Sequence, residues 1–165
     1  AEFRNVNVGN TEAWLKWASQ NGVSRFVLAS SIKAVGPSGY EIGEDALPQQ
    51  EDPYGRSKAE AEEAVLSWAE GSSTRCGLVL RFAPIYGPGS AANIAAFARS
   101  VLAGRPSVVG SGDVPKSVVS INNATAAIAH LLAKAPPGFD VFNVTDRDTL
   151  TLMQLANLIS AAGNG

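Results

Sequence analysis

The sequence predicts an α/β protein built on a parallel β-sheet. Two short, wholly apolar runs, RFVLAS (25–30) and CGLVLRFA (76–83), have the length of strands; helix-like stretches lie between such runs, and Gly/Pro-rich segments mark several of the changeovers. A strand of a parallel sheet is covered on both faces and therefore reads as a continuous apolar run. Helices alternating with such runs indicate parallel crossovers.

Each element follows in order. Residues 1 to about 20 suit a helix, with Val8, Trp14, Leu15, Trp17 and Ala18 available for an apolar face and Asn21-Gly22 as its stop. After the strand at 25–30, which is expected to be buried on both faces, a Gly/Pro-rich loop runs from Gly36 to Pro53. An alanine-rich helix then reaches about Glu70, and a second buried strand at 76–83 ends at the breakers of PIYGPGS. Ile94 to Leu102 is helix-like, SVVGSG and KSVVSI resemble short strands, and Asn122 to Lys134 forms a helix capped by Asn122 or Asn123. FDVFNVT (139–145) is a further strand. Thr149 and Thr151 can cap a last helix to about Ala162, in which Leu152, Leu155, Leu158 and Ile159 recur at helical spacing.

Composition narrows the function. With 45% hydrophobic and 17% charged residues, the 165-residue chain is an ordinary globular protein able to bury a core. A net charge of -2 without basic clusters argues against a nucleic-acid partner. A single cysteine, Cys76, rules out an internal disulfide and any multi-cysteine metal site; its apolar surroundings suit a buried, inert thiol. No run approaches a membrane span, and AEFRNVNV lacks the apolar core of a signal peptide, so a cytoplasmic location without membrane contact is expected. No G-x-G-x-x-G turn for a dinucleotide pyrophosphate occurs.

DPYGRSK places Tyr54 and Lys58 four residues apart at the start of a helix, on one face and within reach of each other. Spacing alone also fits a half-exposed surface pair. Ser31 directly follows a buried strand, at the carboxyl end of the sheet where open α/β folds bind ligands, although a serine there can simply satisfy local backbone groups. A phenol is a poor base at neutral pH, and an adjacent ammonium favours its ionised form. His130 has no second histidine to share a metal and reads as a surface or packed residue. Glu60, Glu62 and Glu63 read as the solvated side of the Tyr54 helix, and Trp14, Trp17 and Trp68 as core or helix–helix packing.

Taken together, RFVLASSIKAVG (25–36), DPYGRSKAEAE (52–62) and LVLRFAPIYGPGS (78–90) resemble the extended short-chain dehydrogenase/reductases, the NAD-dependent epimerase/dehydratase family. The resemblance starts at NVNVGNT, with Asn10 where glycine is usual, and covers nearly the whole chain. It implies the C-terminal portion of a Rossmann-type doubly wound parallel sheet plus a small α/β substrate-binding region. Residues 1–85 would be the C-terminal half of the dinucleotide-binding domain; residues 86–165 would be mainly substrate-binding, with one helix returning to the sheet.

The resemblance further implies Ser31, Tyr54 and Lys58 as catalytic residues, and Phe82, Ala83 and Pro84 beside the nicotinamide of NAD or NADP together with Tyr54 and Lys58. Ser31, Asn93 and Lys116 would meet a UDP-sugar, the last two being equally readable as solvated loop residues. Pro84 stands where relatives often have asparagine, and Lys116 where arginine is common; lysine keeps the charge but loses the planar fork for phosphate. SSIK and the segments GPGSAANIAAFARSVLAGRP and KSVVSINNATAAI look closest to enzymes of UDP-4-keto sugars. The activity implied is reduction of a UDP-4-keto-6-deoxy-N-acetylhexosamine at C4, with UDP-hexose 4-epimerisation as the alternative. A third reading is a catalytically silent fragment or nucleotide-sugar-binding remnant, since without the glycine turn this chain alone should hold NAD(H) poorly. A homodimer is expected, with Ala59, Ala61 and Ala64 permitting close helix approach.

Overall fold

The computed structural model describes residues 2–36, 42–48, 51–89, 93–106, 112–113 and 115–163. The chain begins in helix: α1 (Glu2–Arg4), a π-helical turn (Asn5–Gly9) and α2 (Asn10–Gln20) run on without a break. Strand β1 (Arg25–Ser31) leads through a 3₁₀ turn (Ile32–Ala34) to α3 (Pro53–Glu70), which returns the chain to β2 (Cys76–Phe82). The remaining elements are β3 (Ile85–Tyr86), α4 (Asn93–Leu102), β4 (Pro115–Lys116), β5 (Val119–Ser120), α5 (Ile121–Lys134), β6 (Gly138–Val144), β7 (Leu150–Thr151) and α6 (Leu152–Gly163).

Two units emerge. The first comprises Ala1–Phe82 and Ala126–Val144, the second Ala83–Thr125 and Thr145–Gly165. In the first, β1, β2 and β6 form a wholly parallel sheet in the order β1-β2-β6. Its register sets three rows on one face: Phe26–Gly77–Phe139, Leu28–Val79–Val141 and Ser30–Arg81–Asn143. The lower two rows are essentially apolar and join Leu15 and Ala18 of α2 and Ala61, Val65, Trp68 and Ala69 of α3 in one core. Gly77 is required by this packing. A Cβ there would lie 2.9 Å from the Ala69 methyl and 3.0 Å from Val65 Cγ1, so its absence lets α3 press onto the sheet.

The second unit is built from small pieces. Strand β3 pairs in parallel with β5, β4 pairs antiparallel with β7, and α4 packs on α6. Helix α6 opens with a reciprocal cap, in which Gln154 N donates to Thr151 Oγ1 and Thr151 N donates to Gln154 Oε1.

Several expectations change. Strand β1 is not buried on both faces: Arg25 and Ala29 are exposed, because among the described residues it pairs only with β2, and α2 and α3 cover one face. Strand β2, paired on both sides, is buried throughout, as its apolar run predicts. Trp68 joins the core and donates from its indole nitrogen to Ser19 Oγ, but Trp14 and Trp17 stand exposed, edge to face with each other. The cap of α5 is Ser120, whose hydroxyl accepts from Asn123 N, since the helix starts one residue earlier than Asn122. Most of SVVGSG lies outside the described residues.

Candidate active site

Helix α3 runs back from the carboxyl ends of the strands, so its first turns stand at the rim of the sheet. Asp52 fixes where it starts: its carboxylate accepts from Tyr54 N at 3.2 Å and Gly55 N at 3.3 Å, and Pro53 supplies a preset first turn. Ser57 Oγ donates to Tyr54 O and accepts from Asn7 Nδ2 at 2.9 Å, tying this turn to the π-helical turn.

Tyr54 is half-buried, its ring edge-on to Phe3 at 5.6 Å. Its hydroxyl has no hydrogen-bond partner among the described residues. Lys58 Nζ lies 6.0 Å from the centroid of that ring and donates to the Ala29 carbonyl of β1 at 3.1 Å. Burial lowers the Lys58 pKa from its ordinary value, while the Glu62 carboxylate one turn on acts in the opposite direction. Ser31, two residues beyond Ala29, ends β1 half-buried, and its Oγ accepts from Lys33 N at 3.2 Å. Phe82 is its register partner on β2 and is buried.

Thus Tyr54 and Lys58 are neighbours, and Lys58 is tied to the same strand end that carries Ser31. Phe82 ends the first unit's share of this segment, and Ala83, Pro84, Asn93 and Lys116 belong to the second unit. Ala83 is buried; Pro84 is exposed, its carbonyl accepting from Val119 N at 3.1 Å. Asn93 opens α4, and Lys116 lies exposed in β4 opposite Leu150.

One prediction fails outright. Glu62 is not on a solvated face: it is buried on α3, receives the Ser30 hydroxyl, and pairs with Arg81 at 2.7 Å. Glu60 does behave as a surface group, bonded to Arg4 at 2.8 Å. Two features of the sequence carry this arrangement. Glu62 precedes Val65 by three residues and Ala69 by seven, which puts it on the helix's apolar stripe, and Arg81 interrupts an otherwise apolar strand. A buried cation needs a buried partner.

The Lys58 ammonium and the Tyr54 ring thus stand side by side at the rim of a parallel sheet. The chain matches the NAD dependent epimerase/dehydratase family over residues 1–145. It belongs to that family. It is 34% identical over 164 residues to UDP-glucose 4-epimerase of Vibrio cholerae, covering 97% of this chain and 50% of that protein. The structure of MoeE5 in complex with UDP-glucose and NAD superposes with a TM-score of 0.82 at 27% identity, covering 94% of this chain and 54% of that one. RMD from Pseudomonas aeruginosa, complexed with NADPH, gives a TM-score of 0.80 at 26% identity, over 98% and 59% of the respective chains. The chain therefore spans about half the length of these relatives.

The residues present fit one end of a nicotinamide dinucleotide. Among the described residues the Tyr54 hydroxyl carries no hydrogen bond, and the Lys58 ammonium has hydrogens beyond the one given to Ala29, groups whose chemistry suits the hydroxyls of a nicotinamide nucleoside. Nothing in the sequence supplies the glycine turn that holds a dinucleotide pyrophosphate. No helix of the described residues is long and apolar enough to cross a membrane, and none of their His, Cys, Asp and Glu side chains gather into a metal site.

Proposed function

We propose that this protein acts in NAD(P)-dependent oxidoreduction at C4 of a nucleotide sugar, with Tyr54 as the proton-transfer group. The observation that carries this reading is the Lys58 ammonium, held between the Ala29 carbonyl and the Tyr54 ring at the carboxyl end of the sheet. The nicotinamide, when bound, supplies the hydride chemistry. The chain's own residues handle the oxygen. Tyr54 gives or takes the proton of the C4 oxygen, Lys58 favours the phenolate that results, and Ser31 donates a hydrogen bond that holds the oxygen near Tyr54. Tyr54 and Lys58 together with Phe82, Ala83 and Pro84 would receive the nicotinamide end; Asn93 and Lys116 would meet the UDP part.

Two outcomes share this chemistry. The name of the Vibrio cholerae relative favours 4-epimerisation of a UDP-hexose. The motif resemblance favours reduction of a UDP-4-keto-6-deoxy-N-acetylhexosamine, and the NADPH carried by RMD supports a reductive role. Stoichiometric loss of NAD(P)H during turnover separates the reductase from the epimerase, which returns its hydride. In the intact, cofactor-loaded enzyme Tyr54→Phe should lower turnover by about 10²–10⁴-fold, the usual contribution of a positioned acid or base. A loss smaller than about tenfold would remove Tyr54 from this role.

The 165-residue polypeptide by itself should bind NAD(H) weakly; micromolar affinity in calorimetry would contradict the weight given to the glycine turn. A homodimer is part of the proposal, but not through the small residues of α3. Ala59 and Ala61 are buried within the chain, whereas Phe3, Val6, Trp14 and Trp17 of the N-terminal helical stretch are among the exposed apolar residues. A monomer by light scattering at micromolar concentration would remove the dimer.

A further inference from the structure

The upper row of the sheet, Ser30–Arg81–Asn143, is polar where the rows below it are essentially apolar, and its groups converge on two places. The first is Glu62, which takes the Ser30 hydroxyl, Arg81 Nε at 3.0 and 3.2 Å, and Arg81 Nη2 at 2.7 Å. The second is the segment 42–48, which precedes the start of α3. Arg81 Nη1 donates to the Glu44 carbonyl at 2.8 Å; the Glu44 carboxylate accepts from Asn143 N at 2.9 Å; Asn143 Nδ2 donates to the Ile42 carbonyl at 2.9 Å. Glu44 is therefore held at two points, by β2 through its backbone and by β6 through its side chain.

We propose that Arg81 is a positioning residue: its one buried guanidinium fastens both the Tyr54–Lys58 helix and the segment 42–48 leading into it to the end of the sheet. Two physical facts favour a tie over a mere core pair. A buried ion pair is a poor stabiliser compared with apolar packing, so its cost needs another return. And the fork of Arg81 is divided, with Nε and Nη2 on the helix and Nη1 on the segment, a task that a single-headed cation does less well. Asn143 completes the tie from β6. Among the described residues its Oδ1 is buried without a partner, so the Nδ2 bond to Ile42 is the one its amide makes there. That the tie serves catalysis rests on the function proposed above; that it exists as a tie does not.

Removing Arg81 alone would strand Glu62, so the paired replacement E62M/R81M is the informative variant, its apolar side chains keeping overall stability near the original. Native amide exchange of the whole chain is compared with that of N143A, which keeps the ion pair and loses the bond to Ile42. The Ala46 amide, bonded to the Gly43 carbonyl within the segment, and the Asn143 amide are the reporters. In E62M/R81M both should exchange about tenfold faster while amides of α2 stay within about threefold; in N143A the Ala46 amide should quicken by a smaller factor. Rates within about twofold of the original in both variants overturn the tie. If the paired variant does not fold, N143A decides by the same criterion. Turnover of the nucleotide sugar tests the positioning role. Turnover is read in the intact, cofactor-loaded enzyme: loosened exchange with unchanged turnover in E62M/R81M overturns the positioning role, whereas loosened exchange in an intact enzyme that shows no turnover at all leaves the tie standing and removes the proposed reaction.

Discussion

Two carboxylates organise the two units, and they do it differently. Glu62 in the first unit lies in the interior and gathers a hydroxyl and a guanidinium; Asp146 in the second is half-buried and gathers only neutral donors. Those donors are Tyr86 OH at 2.7 Å, Asn123 Nδ2 at 2.7 Å and Ser120 N at 3.2 Å. Where water still reaches a carboxylate, hydrogen bonds suffice to hold it ionised. Where water is excluded, a full positive charge must take water's place. The same side-chain chemistry thus gives a buried ion pair in one unit and an open clasp joining β3, β5 and the start of α5 in the other.

The largest expected effect tests the buried half of this contrast. Glu62→Ala leaves Arg81 charged and alone, which should cost about 3–5 kcal/mol in urea unfolding. Asp146→Ala, which frees donors that water can reach, should cost about 1 kcal/mol by the same measurement. Equal losses would break the contrast.

Lys58 sharpens it further. Burial depresses its pKa and Glu62 opposes that, so its side-chain resonance should titrate below the usual lysine midpoint, and lower still in Glu62→Gln. An upward movement in Glu62→Gln would mean that Glu62 acts on Lys58 only by shaping the helix.

The smallest effect concerns pH. Burial pushes the Asp146 pKa up, but hydrogen bonds from Asn123, Tyr86 and the Ser120 backbone outweigh it, and the net displacement is downward. A folded pKa below the unfolded one means a stabilising contribution that is present above the unfolded value and lost as pH falls through the folded one. The stability difference between the original protein and Asp146→Asn should therefore shrink on acidification. The partner of this clasp moves the other way: Tyr86 is held above its ordinary pKa chiefly because its proton is donated to Asp146.

What could be read from residues alone follows burial. The run CGLVLRFA read correctly as a buried strand, and its place in the middle of the sheet covers both its faces and both its edges, leaving no alternation to misread. RFVLAS looked the same and is not, because an apolar side chain such as Ala29 can stand in the open without any mark in the sequence. Tyr54 and Lys58 were legible as neighbours from helical geometry; the Asp52-Pro53 cap that starts α3 went unread, although both residues stand in the sequence. The Glu62–Arg81 pair was missed because it joins a helix to a strand across 19 residues, and local periodicity sees only its own element. Two charges on two apolar faces were the available sign, and they had to be considered together.

The chain's single thiol sits within β2, buried in the middle strand of the sheet, and burial raises its pKa so that the reactive thiolate is scarce. Alkylation of Cys76 must therefore wait until that strand comes free of its neighbours, which makes the rate of labelling a built-in clock for opening of the sheet. A reagent as simple as iodoacetamide can then time how long the amino end of the sheet, opposite the rim that carries Ser31, stays closed, with no probe added to the protein.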